Sequence, residues 1–359
     1  MKKNIFITGG RSFVALELAR GFHKSGCSVY VGDSLTRYIC QYSNAVTKHF
    51  HLPSPTFSFS EFQEKLVVLC KEFQIDVLIP TCEEVFYVAK AKLVLERQGV
   101  FVMTSALDFL EKLHHKYLFT TISPKSPTSF LIESQEDLKK HSYNKKMVLK
   151  PVYSRFGEEV KIGMDFSSID LQNKSWVLQE YVSGTQICTY AYGENGKLKW
   201  QICYQNQGKS TRASTVFSPY QDKILEDMVR EFLQTHGYTG HVSFDIIESD
   251  GKYYFIECNP RVTSGIHNLA GNDFKELFFD EVKDLVLEKK KLFFATAIYQ
   301  PQQLFKSLDA PDVVFHKKDI KPFLAQNLCL FSCISLSMRE KISLIHSTTF
   351  DIEYNGGKL

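Results

Sequence analysis

The chain has 359 residues, of which 44% are hydrophobic and 23% charged, the balance of a globular protein with two or three packed units. A net charge of +3 with no block of Lys or Arg gives no case for a nucleic-acid partner, so any basic patch must be local. The apolar run Ile5-Phe6-Ile7 is too short for a signal peptide, and nothing approaches the ~18 continuous apolar residues of a membrane span. A cytoplasmic protein without a membrane partner is expected. Nine cysteines lie scattered without framework spacing, and buried reduced thiols are their simplest reading.

Residues 4–8 (NIFIT) read as a short buried strand ended by Gly9-Gly10. Val14, Leu18 and Phe22 then recur every four residues, which predicts a helix stopping at Gly26. A strand at 28–31, a helix over 62–73, a strand at 75–79, a helix over about 84–97 and a strand at 100–103 follow. This alternation predicts a parallel sheet wound with helices, a Rossmann-like unit over 1–110. The pattern then changes. A helix near 106–119, a strand at 147–150, a strand-like run at 176–182 and a hairpin turned at Asn195-Gly196 predict an α+β unit over 111–290. A helix near 221–236 precedes a second hairpin, HVSFDIIE and YYFIECNP, turned around Asp250-Gly251. Residues 291–359 form an extension of mixed character.

The strongest chemical signal is Asp245, Glu257 and Asn259 within that second hairpin. Two carboxylates held ~4 Å apart repel by about 4 kcal/mol at an effective dielectric near 20, and a cation between them reverses the cost. Hard oxygen donors suit Mg²⁺. Glu257 and Asn259 are two apart and share one face of a strand. A plain two-residue turn at Asp250-Gly251, however, pairs Asp245 with Ile256 and turns Glu257 away. The metal reading therefore requires an odd loop, such as Ser249 opposite Tyr253, or a bulge. The competing reading is a solvent-facing Asp and Glu on an amphipathic hairpin.

FDIIESDGKYYFIECNPR resembles the closing hairpin of ATP-grasp enzymes, especially those like carbamoyl phosphate synthetase and biotin carboxylase. Their E-x-N-P-R ending is matched by Glu257, Asn259, Pro260 and Arg261, and their upstream metal carboxylate by Asp245. The resemblance extends over about 110–270. Lys116 matches the first nucleotide-binding lysine, and Lys150 the lysine opening the phosphate-covering loop, where Ser154 and Arg155 are candidate phosphate donors. In QEYVSG, which resembles the adenine hinge, Gln179, Glu180, Tyr181 and Val182 are implied ATP contacts, and Gln186 stands where relatives have a ribose-binding acid. The implied fold is a Rossmann-like pre-ATP-grasp domain followed by an ATP-grasp fold, with a nucleotide-binding subdomain at about 118–185. The implied ligands are ATP and one or two Mg²⁺, with Mn²⁺ as a substitute. Several features depart from the family. The phosphate loop has only Gly157 where relatives have several glycines, Ser243 replaces an arginine of D-alanine ligases, and biotin carboxylase's Q-R-R-x-Q-K run is missing.

Arg261 is expected to steady the transferred phosphoryl group. Lys209 and Arg212, in QNQGKSTRAS, lie where relatives place acceptor-side cations. Arg11 and Glu83 follow predicted strands in the first unit and are substrate candidates, because open α/β sheets bind ligands at such ends. The resemblance implies a ligase joining a small carboxylate to an amine or similar nucleophile, through an acyl phosphate and with release of ADP and phosphate. It admits a homodimer. Two alternatives compete: a non-catalytic ATP-binding scaffold, and an NAD(P)-dependent oxidoreductase using Gly9-Gly10 and Asp33. The second lacks the third glycine of G-x-G-x-x-G, since the run reads TGGRSF.

Overall fold

The computed structural model describes residues 2–141, 145–155, 157, 159–166, 168–172, 174–206, 215–282, 284–299 and 301–357. Strands β1 (Asn4–Thr8), β2 (Ser28–Asp33), β3 (Lys48–His51), β4 (Val77–Ile79) and β5 (Phe101–Val102) form a parallel sheet in the order β3-β2-β1-β4-β5. Helices α1 (Phe13–Lys24), α2 (Phe59–Glu72) and α3 (Val85–Glu96) connect them. Helix α1 starts where Ser12 caps it, accepting the Ala15 amide on its hydroxyl. The central strands β1 and β4 read as apolar runs because both faces of a parallel sheet are covered there, whereas the edge strand β3 (KHFH) is largely exposed.

The helix predicted near 106–119 is two helices, α4 (Leu107–His114) and α5 (Lys116–Ile122). His115 breaks them by taking an extended backbone (φ −72°, ψ 104°), and its ring accepts the Leu118 amide as a cap. The break sets Lys116 at the first turn of α5.

A small antiparallel sheet follows, in the order β6-β9-β7-β8, from β6 (Ser129–Ile132), β7 (Met147–Pro151), β8 (Lys161–Gly163) and β9 (Trp176–Glu180). One short helix, α6 (Gln135–Lys140), lies between β6 and β7. This lobe has a core of its own, built around Trp176, Leu149, Met147 and Leu178.

The large antiparallel sheet runs β14-β13-β10-β11-β12-β15. Its strands are β10 (Thr185–Glu194), β11 (Lys197–Asn206), β12 (Val216–Tyr220), β13 (Gly240–Ser249), β14 (Lys252–Asn259) and β15 (Lys290–Lys291), with α7 (Lys223–Thr235) packed on it. Unlike the small sheet, it shares continuous cores with the N-terminal sheet: Phe6 and Val88 belong to one cluster with Phe244 and Phe255, and Ile5 and Leu16 to another with Tyr190 and Trp200. The small sheet thus stands as a separate lobe, joined through residues 181–184. Gly184 ends this joint because a Cβ there would come within 2.0 Å of the Glu248 carbonyl oxygen.

Residues beyond 270, on whose later part the sequence was silent, are mainly helical: α8 (Phe274–Phe279), α9 (Phe293–Tyr299), α10 (Pro301–Lys306) and α11 (Lys321–Glu340). Residues after α11 return to the N-terminal sheet, where Ile352 and Tyr354 are buried. All nine cysteines are unpaired, six of them buried. Among the described residues no helix is long and apolar enough to cross a membrane.

Candidate nucleotide and metal site

A cleft of about 740 Å³ lies between the small sheet and the face of the large sheet, and its far end reaches the N-terminal sheet. The hairpin β13–β14 forms its floor. Its turn is the plain two-residue one, Asp250 and Gly251, both with positive φ (51° and 71°), so Ser249 pairs with Lys252. The alternative with Ser249 opposite Tyr253 is not the one adopted. Register then shifts between Asp245 and Ile246, where Ile256 is the extra residue, and Asp245 faces Glu257 directly. Ser243 pairs with Asn259 one step further. The bulge lies at Ile256 rather than at Gly251, and it has a second effect. It offers the Ile256 carbonyl to Lys150, whose Nζ donates to it at 3.2 Å and to Gln179 Oε1 at 3.1 Å.

The two lysines converge from different elements. Lys150 comes from β7, while Lys116, at the start of α5, donates to the Ser154 carbonyl at 3.0 Å and lies 3.5 Å from Glu257 Oε1. Both are buried, at 4% and 3% exposure, which an unpartnered ammonium does not tolerate. The charges remain poorly matched. Burial drags the Lys150 ammonium down to about 8, against the pull of Glu257. Burial, followed by the Glu257 charge, pushes the Asp245 carboxyl up to about 6. Cys188 Sγ donates to Asp245 Oδ1 at 3.2 Å. The floor thus holds two opposed carboxylates whose repulsion the two lysines offset only in part, with the Asn259 amide oxygen beside them. Three hard oxygens and an unmet need for positive charge fit Mg²⁺.

The cleft is also lined by Gln179, Glu180, Tyr181, Val182 and Gln186, and by Ser154. In the hinge, the Glu180 amide is spent on Thr128 O and the Tyr181 amide on Lys146 O. The Glu180 carboxylate pairs with Lys145 at 2.8 Å. Val148, Val160 and Ile162 of the small sheet supply an apolar wall, with Ile162 left 53% exposed. Such a wall suits a flat ring.

At the far end stand Arg261, Thr263 and Ser264, facing Ser12, Thr81 and Cys82 from the loops after β1 and β4. Among the described residues, Arg261 makes two long hydrogen bonds, to Val262 O and Asn259 Oδ1, both 3.3 Å. Its guanidinium retains donor capacity toward the cleft.

Three expected site residues are engaged elsewhere. Arg11 does not line the cleft: its guanidinium is consumed by Asp33, Asp351, Ser34 and the Thr348 carbonyl. Asp33, the acid a dinucleotide site would turn toward a ribose, is thereby committed to Arg11, which removes the basis of the oxidoreductase alternative. Glu83 is bound to Arg155 and accepts the Tyr354 amide at 3.1 Å. Arg155 in turn faces this pair and the segment 353–355 rather than the cleft. Lys209 and Arg212 lie outside the described residues.

Sequence reasoning passed over Tyr204 and Cys188, which with Asp245 and Glu257 form a row across four neighbouring strands on the cleft face. Strand alternation places Cys188 two residues after Gln186 on that face, but nothing in a lone cysteine or tyrosine marks it. Ser12 and Cys82, neighbours of the chosen Arg11 and Glu83, were missed because charged residues drew the choice.

This arrangement of a small lobe over a large antiparallel sheet, with lysines above and carboxylates below, defines a class of nucleotide-binding fold. Residues 112–265 match the family model of the ATP-grasp domain. A curated relative is the tyramine–L-glutamate ligase of Methanocaldococcus jannaschii, 23% identical over 221 residues; the match spans 59% of this chain and 64% of the relative's length. Among solved structures, N5-carboxyaminoimidazole synthetase from Staphylococcus aureus superposes with a TM-score of 0.64 at 14% identity, covering 86% of this chain and 87% of that one. An L-amino acid ligase from Bacillus licheniformis gives 0.59 at 18% identity, covering 75% and 70%. The biotin carboxylase domain of the Hydrogenobacter thermophilus 2-oxoglutarate carboxylase gives 0.60 at 14%, covering 80% and 73%. At these identities the structural likenesses establish the fold.

Proposed function

We propose that the protein is an ATP-dependent ligase that joins a small carboxylate to an amine, with ADP and phosphate as products. The observation that carries this reading is the bulge at Ile256, which sets Asp245 opposite Glu257 beneath two buried lysines. The names of two relatives, one a tyramine–L-glutamate ligase and the other an L-amino acid ligase, favour an amino acid as the carboxylate.

ATP would place its adenine between the Val148–Ile162 wall and the hinge residues Tyr181 and Val182. Lys116 and Lys150 draw the phosphates onto the floor. Asp245, Glu257 and Asn259 would hold Mg²⁺, which would supply charge neutralisation to the phosphates. The substrate carboxylate, placed by Arg261 near Ser12 and Thr263, attacks the γ-phosphorus. Its new O–P bond forms as the bond to the β,γ-bridging oxygen breaks, and ADP leaves. The amine then adds to the acyl carbon and loses a proton as phosphate departs. Arg261 lies at the far end of the floor, where charge accumulates during transfer.

The test is a screen of amino acids and amines for Mg²⁺-dependent ADP release, preceded by calorimetry with ATP and with NAD(P). ADP release with at least one pair is expected. Binding of NAD(P) in place of ATP would overturn the reading.

A further inference from the structure

The most heavily bonded side chain above the cleft is one that a phosphate loop would be expected to keep free. Arg155 has five N–H donors, and four of them make hydrogen bonds, beside one further ion pair. Nε and Nη2 clasp the two carboxylate oxygens of Glu83. Nη2 also donates to the Tyr354 carbonyl at 3.1 Å, and Nη1 donates to Asn355 Oδ1 at 2.9 Å and lies 3.4 Å from Glu353 Oε2. Burial works against both charges, yet the hydrogen-bonded guanidinium leaves the Glu83 carboxyl below the usual carboxylate range.

The segment 351–357 that receives Arg155 is itself fastened to the N-terminal sheet. Asp351 binds Arg11, and Ser54 Oγ donates to the Asp351 carbonyl at 2.6 Å. Tyr87 Oη donates to the Glu353 carbonyl at 2.8 Å. The Tyr354 ring stacks on Phe86 with centroids 4.7 Å apart, and its hydroxyl donates to Glu111. Gly356, at φ 76°, packs so closely on Tyr153 that a Cβ would come within 2.7 Å of the ring. The strap therefore touches the loop at two points, Tyr153 and Arg155. On the loop's inner side, the residue between them gives its carbonyl to Lys116.

We propose that Glu83, Glu353, Tyr354 and Asn355 are positioning residues of the nucleotide site. Through Arg155 they anchor the phosphate-covering loop to the N-terminal sheet, so Ser154 and Lys116 are set before a nucleotide arrives. Arg155 is an anchor and not a phosphate donor. This rests on the ATP reading above and explains a feature of the sequence that the reading leaves over. A loop that closes on its ligand needs several glycines, whereas a loop held from behind does not, and 153–159 contains only Gly157. Order built in beforehand lowers the entropic cost of binding.

The test uses the full chain, with trypsin cleavage after Arg155 as one readout and MgATP affinity by calorimetry as the other. The wild type should resist cleavage there with and without MgATP. Glu353→Gln combined with Asn355→Ala should speed cleavage and weaken MgATP binding, each by roughly 10-fold, with circular dichroism unchanged. MgATP should then slow cleavage again, because the ligand restores the order that the strap no longer supplies. Arg155→Lys, which keeps one charge but cannot span the partners, should fall between the two. Should the double variant fail to fold, Arg155→Lys alone carries the test. Cleavage at the wild-type rate, or a freed loop with unchanged MgATP affinity, overturns the proposal. A wild type that protects Arg155 yet binds no MgATP overturns the ATP reading and reduces the strap to a clasp of the fold.

Discussion

Two regions of this molecule bury several charges together, and they treat them in opposite ways. Around the strap every charge is matched: Arg11 lies between Asp33 and Asp351, and Arg155 between Glu83 and Glu353. On the cleft floor the matching is incomplete: Lys116 pairs with a partly exposed Glu257, but Asp245 still faces Glu257 and Lys150 lies near Lys116. Matched burial serves to hold chain segments together, whereas unmatched burial persists only where a ligand completes it. By that criterion the floor is the working site and the strap its support.

The comparison predicts different failures. Glu257→Gln should abolish ADP release and the Mg²⁺-dependence of ATP binding while the protein stays folded, because a neutral amide is a poorer Mg²⁺ ligand of the same volume. Mg²⁺-dependent turnover surviving in that variant would remove the metal from the floor. In the matched region, Arg11→Met should cost stability instead. It strands two buried carboxylates, a loss of about 3–5 kcal/mol, read as a fall in the urea midpoint. A loss well under 1 kcal/mol would mean that the pairing is solvent-screened and the contrast false. Lys150→Ala should weaken ATP binding by about 1.5–3 kcal/mol, roughly 10- to 150-fold, through a lost charge-assisted bond. Unchanged affinity in the folded variant would make Lys150 a bystander.

Much of the floor was legible in the sequence because strand alternation and the E-x-N-P-R run constrain it jointly. The sequence even posed the right question about register: a two-residue turn at Asp250-Gly251 cannot bring Asp245 opposite Glu257 without an added residue. Where that residue would sit was not legible, since an isoleucine at a bulge resembles any other strand isoleucine. The strap was illegible for a different reason. Its bonds join residues as distant as Arg11 and Asp351, or Arg155 and Glu83, and no local pattern encodes such pairings. Arg11 and Glu83 were read as substrate candidates and Arg155 as a phosphate donor, and all three are engaged within the fold instead. The sequence offered a ligand, while the fold supplies residues from the last turns of the described chain.

The smallest expected effect separates the two regions most finely, because it sets their responses in different pH ranges. In the free protein the Lys150 ammonium ionises near 8. Its folded value lies below the ordinary lysine range, so between the two the unfolded chain holds more protons and the free protein gains stability as pH rises. ATP requires the charged form. Binding should therefore take up a growing fraction of a proton as pH passes about 8, and affinity should fall by up to about tenfold per unit above it. Calorimetry in buffers of different ionisation enthalpy measures that uptake directly. Lys150→Arg should flatten the profile, since a guanidinium does not titrate there. The strap responds in the acid range instead, with the same sign for stability. Glu83 has a lowered pKa, so its contribution is complete above the ordinary carboxylate range and is lost as pH falls through the folded value. A wild-type affinity that stays flat across the alkaline range would show that the cleft's charge conflict is not what ATP resolves.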